Sequence, residues 1–430
     1  MVAQAIVGIR RPGMESEKSR PFALPLLLLA LSVLINYVDR GNLSIAAPLL
    51  KDELGLSASQ LGILFSAFFW TYTILLFACG LFIDRLDVNR VLAVGYLVWS
   101  LATATTGLVH GFALLLFARF ALGVGESVAF PCYSKILAQH VPEYRRGFAN
   151  GAIVAAMKCG PVVGTLGAGF LMAKYGWRPV FIGIGLVSLA WLPAWMRVMP
   201  RGTASANPGG SPQVIDILRQ RSFCASAAGG FCNAYPLYLM VTWLPFYLAN
   251  EQHLSMRDMV NKAALYYALD AAAALATGWT TDFWIRRGLA VGVIRKSAMA
   301  LGYTMAAVGF LGWSSAESHS YLPWLIVTGV GCGIHNSGLW AFSQTLAGPQ
   351  AVGRWVGLQN GFANLAGVVG PALTGFIVDW TGHFQAALVI TAGVCLLGGV
   401  CWVFLVGRLE QVVWNRAAEN GLAVAAPEII

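Results

Sequence analysis

The stretch "GLQNGFANLAGVVGP", residues 357–371, places Asn360-Gly361 ten residues ahead of Gly370-Pro371 inside an apolar run. The same signature stands in "ANGAIVAAMKCGP", residues 149–161, where Asn150-Gly151 leads Gly160-Pro161 by ten. A second element repeats with it: Gly80, Asp84 and Arg85 after one apolar run answer Gly278, Asp282 and Arg286 after another. Both duplications run in the same direction, so the chain carries two parallel repeats.

Working outward, windows of about 20 residues give twelve candidate spans. They lie near 22–50, 58–83, 91–110, 112–135, 147–172, 178–198, 222–250, 258–284, 294–314, 320–346, 352–378 and 383–407. Hydrophobic residues make up 57% of the 430 and charged residues 11%, where a soluble domain carries roughly 25% charge. One buried core cannot absorb that bias, so the surface is expected to face lipid. The first run follows Arg10, Arg11, Lys18 and Arg20 as a signal peptide would, but it is too long and lacks a cleavage site. It is expected to remain as the first helix.

The expected fold is an all-α polytopic membrane protein with twelve transmembrane helices in two pseudo-symmetric six-helix bundles. Residues 199–221, "MPRGTASANPGGSPQVIDILRQR", have the Gly, Ser and Pro content of a linker. The expected organisation is a cytoplasmic tail 1–21, a bundle 22–198, this cytoplasmic linker, a bundle 222–407 and a cytoplasmic tail 408–430. With both tails inside, cytoplasmic segments collect 20 of the 28 Lys and Arg, and the opposite loops collect Lys51, Lys174, Arg178, Arg257 and Lys262. That asymmetry fits a multi-pass protein of a bacterial-type inner membrane with both termini cytoplasmic. The net charge of +9 is thus a topology signal, and no nucleic-acid partner is expected from bases spread over many short loops. The eight cysteines show no CxxC or Cys/His metal spacing and read as packing residues. No metal and no cofactor is expected.

The first span holds "INYVDRGNLSIAAP", residues 35–48, with Asp39 and Arg40 where each charge costs at least about 2.5 kcal/mol on insertion scales. In the fourth span Arg119 and Glu126 are seven apart, on one helix face and about 10 Å along it. They are too far apart to pair directly. Gly123 and Gly125 leave that face open to a neighbouring helix or a solute. A guanidinium stays charged and matches a carboxylate in two hydrogen bonds, so Arg40 and Arg119 point to an anionic substrate. The competing reading is that Asp39 and Glu126 neutralise them and the four charges only lock helices. Against it, Asp39 and Arg40 are neighbours pointing about 100° apart and cannot both serve one local pair. Asp39 beside Arg40, and Glu126 beside Arg119, can each hold or release a proton as the arginine engages an anion; protons are the expected coupling ion.

At these residues the chain resembles the anion:cation symporters of the major facilitator superfamily. "NYVDRGNLSIA", "FSAFFWTYT", "GLFIDRLDVNR", "RFALGVGESVAFP", "TWLPFYL" and "GLQNGFANLAGVVGP" carry the resemblance, which covers nearly the whole chain. It is closest to the bacterial sugar-acid proton symporters of the D-galactonate and hexuronate kind. It implies alternating access around a midplane site, with Arg40 and Arg119 on the substrate and Glu126, then Asp39, as proton sites. By the same resemblance Tyr72, Ser337, Trp340 and Asn360 match positions that line the sugar-acid site. Asp84 with Arg85, and Asp282 with Arg286, would latch the cytoplasmic face.

The chain also departs from that family. A substrate-binding Gln of the galactonate-like carriers is Met157 here, and Lys158 follows it. Lys158 and Asp270 both fall near the middle of their spans, the fifth and the eighth, and are expected to pair across the two halves in at least one state. His335 reads either as a hydrogen-bonded packing residue or as a substrate or proton group. A membrane enzyme using His335 as base would need an acid partner, as in an HxxxxD signature, and His335 begins no such signature. A drug/proton antiporter fits paired arginines poorly, and a sensor would need a further soluble domain. The expected function is proton-coupled import of a small organic anion, a hexonate or hexuronate, with dicarboxylates and aromatic acids as alternatives. The protein is expected to act as a monomer in contact with membrane lipid.

Overall fold

A computed structural model describes residues 22–82, 87–141, 143–199, 212–316 and 320–414. Among them it is helical throughout, with no strand. The first six spans are α1 (Ala23–Leu54), α2 (Ala58–Phe82), α3 (Val88–Thr106), the pair α4 (Phe112–Ser127) and α5 (Ala129–His140), α6 (Glu143–Tyr175), and the pair α7 (Trp177–Ser188) and α8 (Trp191–Val198). A short helix, α9 (Val214–Leu218), precedes the second six. These are α10 (Arg221–Asn250), α11 (Met256–Arg286), α12 (Val291–Ser314), the two parts of α13 (Leu322–Thr381), and α14 (Gln385–Val400) with a π turn at Cys401–Leu405. Among the described residues, seven helical segments are long and apolar enough to cross a membrane on length and composition alone.

Proline and glycine place the breaks. Pro131 has no N–H for the Ser127 carbonyl four residues back, and the fourth span divides there into α4 and α5. Pro193 does the same at Leu189, between α7 and α8. In α13 the chain turns at Gly348, whose φ of 65° favours glycine, and this break separates the tenth span from the eleventh. The first span runs on to Leu54, and the fifth from Glu143 to Tyr175, each longer than its hydropathy window. Most of the expected linker, with Asp84 and Arg85 of the expected latch, lies outside the described residues.

The turns alternate between two faces. The first face carries the turns after α1, α3, α6, α10, α12 and α13; the second carries the others and the approach to α9. At the first face one cluster of buried apolar side chains crosses the halves, from Leu50, Leu61 and Phe65 to Trp243, Phe246 and Phe384. Asp379 at the end of α13 accepts hydrogen bonds from the backbone N–H of Ala58 (2.9 Å) and Ser59 (2.7 Å), capping α2 across the two halves. A Cβ on Gly62 would run into the Pro371 carbonyl, so α2 and α13 touch backbone to backbone. Outward, Phe117, Val187, Leu275 and Phe404 are exposed, as a lipid-facing surface requires.

Candidate functional site

Asp39 and Arg40 sit at the middle of α1, and Glu126 sits in the last turn of α4, just before the break that Pro131 causes. Arg40 Nε donates to Glu126 Oε2 at 2.8 Å; Glu126 is fully buried and the Arg40 side chain is 10% exposed. The direct partner of Glu126 is thus Arg40 and not Arg119. Seven residues separate Glu126 from Arg119 along one helix, whereas α1 carries Arg40 within reach of the α4 terminus.

Three rings enclose the Arg40 guanidinium: Tyr37 at 4.9 Å, Phe68 at 5.1 Å and Tyr72 at 4.7 Å to their centroids. Arg119 lies 5.3 Å from Phe68, which therefore stands against both guanidiniums. Among the described residues Arg119 has no ion-pair partner, and its Nε, Arg40 Nη2 and Glu126 Oε1 are buried without a hydrogen-bond partner. Buried polar groups are normally paired. Two unpaired N–H donors from two guanidiniums match the two oxygens of one carboxylate.

Asp39 faces away from Arg40. It is buried, with Asn42 Nδ2 at 3.4 Å from Oδ1 and no partner for Oδ2. Gly123 and Gly125 admit helices: a Cβ on Gly123 would meet the Phe68 carbonyl and Thr71, and one on Gly125 would meet Gly95 and Trp99.

The second half faces this site with amide and hydroxyl groups. Tyr238 of α10 packs its ring on Phe69 at 4.3 Å and donates its hydroxyl to Asn364 Oδ1 at 2.7 Å. Asn364 Nδ2 in turn donates to the Asn360 carbonyl at 2.8 Å. Asn360 is thus tied to Tyr238 through Asn364. Ser337 goes elsewhere: its hydroxyl bonds the Ile334 carbonyl at 2.8 Å. It lines a cavity of about 190 Å³ near the second face with Thr281, Asp282, Arg295 and Met299. The side chain of Trp340 lies outside the described ones. Sequence reasoning did not single out Tyr37, Phe68, Tyr238 or Asn364; aromatic residues fill 12% of the chain, so no ring stands out by type.

Met157 packs at the edge of the first-half core. Lys158 Nζ and Asp270 Oδ2 meet at 2.8 Å across the halves, as their mid-span positions require. His335 Nδ1 lies 2.8 Å from Asn233 Oδ1, and its ring stacks on Tyr303 at 4.3 Å, the packed and hydrogen-bonded arrangement expected of it. Arg286 donates to the carbonyl of Asp282 in its own helix at 3.3 Å, and both side chains are exposed, so no latch between them is closed here.

Residues 29–353 and 263–428 match the Major Facilitator Superfamily model, and the chain belongs to that family. It is 30% identical over 419 residues to the "Hexuronate transporter" of Bacillus subtilis (strain 168), covering 92% of this chain and 98% of that one. It is 29% identical over 401 residues to the "Probable L-galactonate transporter" of Escherichia coli (strain K12), covering 89% and 88%. Among solved structures, a bacterial homolog of the human lysosomal transporter Spinster, in an inward-facing and occupied conformation, superposes with a TM-score of 0.75. That match has 18% identity and covers 91% of this chain and 98% of that chain. The protein is a membrane-spanning transporter of this superfamily, not an enzyme, and the two relatives named above bear the names of sugar-acid transporters.

Proposed function

We propose that the protein imports a sugar acid of the hexonate or hexuronate kind by proton symport across a bacterial-type inner membrane, as a monomer with both termini cytoplasmic. The observation that carries the reading is the pair of unpartnered guanidinium donors, Arg119 Nε and Arg40 Nη2, buried in the middle of the bundle. A carboxylate satisfies them, and the hydroxyls of a sugar acid suit Tyr238, Asn360 and Asn364 opposite. The names of the relatives support the same class of substrate.

Coupling follows from the Arg40–Glu126 contact. A proton placed on Glu126 removes its charge and releases the Arg40 fork, which turns to the substrate carboxylate. One proton gained and one anion bound leave the charge of the site unchanged. By linkage each favours the other. Asp39, buried and apart from Arg40, is the second proton site, and no cofactor beyond the proton is invoked. The halves 22–198 and 222–407 rock about the site; with the first face sealed, the site is reached from the second, which the bases assign to the cytoplasm. Asp84 with Arg85, and Asp282 with Arg286, close that face in the opposite state.

A thermal-shift panel of purified protein against hexonates, hexuronates, dicarboxylates, aromatic acids and cationic drugs tests the reading, because a ligand stabilises the state it binds. Hexonates or hexuronates should raise Tm. A shift by cationic or neutral drugs alone would sink the anion assignment.

A further inference from the structure

Six Asp, Glu, Lys and Arg side chains occupy mid-span positions among the described residues: Asp39, Arg40, Arg119 and Glu126 in the first half, Lys158 at the centre of α6, and Asp270 at the centre of α11. Three are cations and three are carboxylates. Lys158 Nζ and Asp270 Oδ2 are 2.8 Å apart, and this is the ion pair that joins the two halves among those described. It is not sealed as Glu126 is: the side chains are 22% and 11% exposed.

The surroundings place the pair inside the bundle, at the depth of the anion site. Two residues beyond Lys158, Gly160 lies so close to Tyr37 that a Cβ there would strike the Tyr37 side chain, and the Tyr37 ring carries the Arg40 guanidinium. On the other side Gly333 of α13 packs on the Asp270 backbone. An ammonium has three donors, and Asp270 is the one hydrogen-bond acceptor that Lys158 has among the described residues.

We propose that Asp270 acts as a built-in counter-anion that occupies Lys158 and so makes the site select sugar acids with one carboxylate over those with two. The proposal rests on the sugar-acid reading above. With Lys158 cancelled by Asp270, the remaining four charges balance, and each substrate charge must be matched by a proton on Glu126 or Asp39. A monoanion with one proton meets that condition. A six-carbon diacid needs both Glu126 and Asp39 protonated at once, and its second carboxylate finds the third mid-span cation, Lys158, already neutralised and Asp270 repelling it. Removing the Asp270 charge should release Lys158 to that second carboxylate.

The test measures binding of a hexuronate, a hexonate and the corresponding aldarate diacid to purified wild type, Asp270→Asn and Lys158→Met/Asp270→Asn. Wild type should bind a monoanion at least roughly tenfold tighter than the aldarate, the effect of one charge-assisted contact. Asp270→Asn should narrow or invert that ratio by about the same factor, and the double variant should lose the gain. An unchanged ratio in folded Asp270→Asn overturns the proposal, because a purely structural tie predicts equal losses for both substrates. Should Asp270→Asn not fold, the wild type still decides: equal affinity for aldarate and hexuronate overturns it. If wild type binds no sugar acid at all, the functional reading falls first, and this inference with it.

Discussion

Removing the Asp379 carboxylate should loosen the first face by an amount that its contacts set. The two oxygens accept from Ala58 and Ser59 at 2.9 and 2.7 Å, joining the end of α13 to the start of α2. Hydrogen bonds to a charged group contribute about 1.5–3 kcal/mol each, and a carboxylate at a helix N-terminus adds about 0.3–1. Asp379 is exposed, so the lower ends apply, and part of each is lost to solvent screening. We take about 2 kcal/mol in all, or roughly a thirtyfold change in the balance between access states. Asp379→Ala should move that balance toward opening of the first face, while Asp379→Asn, which keeps one acceptor oxygen, should move it less. Spin labels at Asp52 and His253, exposed positions on the two halves, report the change as a longer component in the distance distribution. If Asp379→Ala gives the wild-type distribution at the same temperature and salt, the capping contact does not hold the face shut and the reasoning fails.

Glu126→Gln should keep substrate counterflow but lose accumulation driven by a pH gradient; each pH unit supplies about 1.4 kcal/mol per proton, so undiminished accumulation in proteoliposomes would refute the coupling role. Arg119→Met and Arg40→Met should abolish binding in the thermal-shift assay, and Arg119→Lys should weaken it by roughly tenfold or more because an ammonium lacks the fork. Gly125→Ala should lower Tm, since its Cβ would meet the Gly95 carbonyl and Trp99 and such overpacking costs about 1–3 kcal/mol.

The charges of the site were legible in the sequence because a charge in an apolar span is costly and stands out. Asp39, Arg40, Arg119 and Glu126 announce themselves this way, and counting residues along α6 and α11, with the family's architecture facing those spans across the halves, set Lys158 opposite Asp270. Partner choice was less legible. That Glu126 meets Arg40 and not Arg119 depends on how α1 crosses the broken end of α4. The break itself had a signal in "ESVAFP", where Pro131 denies a donor to Ser127, but the helix that would fill the gap did not. Tyr238 and Asn364 were silent because rings and amides are common in these spans and only the meeting of halves gives them a role. Ser337 matched a site position by resemblance, yet its place on α13 turns it toward α11 and α12. Asp379 sits where a span ends, where a lone acid usually faces water.

The seal of the first face is made of Leu50, Leu61, Phe65, Trp243, Phe246 and Phe384, and its opening would hydrate much of that surface. Hydrating apolar surface raises heat capacity by about 0.45 cal/mol/K per Å², so the free-energy difference between the two access states must curve with temperature. Near room temperature such a seal is held by entropy and weakens on cooling. The Lys158–Asp270 contact at the centre is ionic and carries no such term. The population of sealed carriers should therefore fall in the cold, and van 't Hoff plots of any rate limited by that opening should bend.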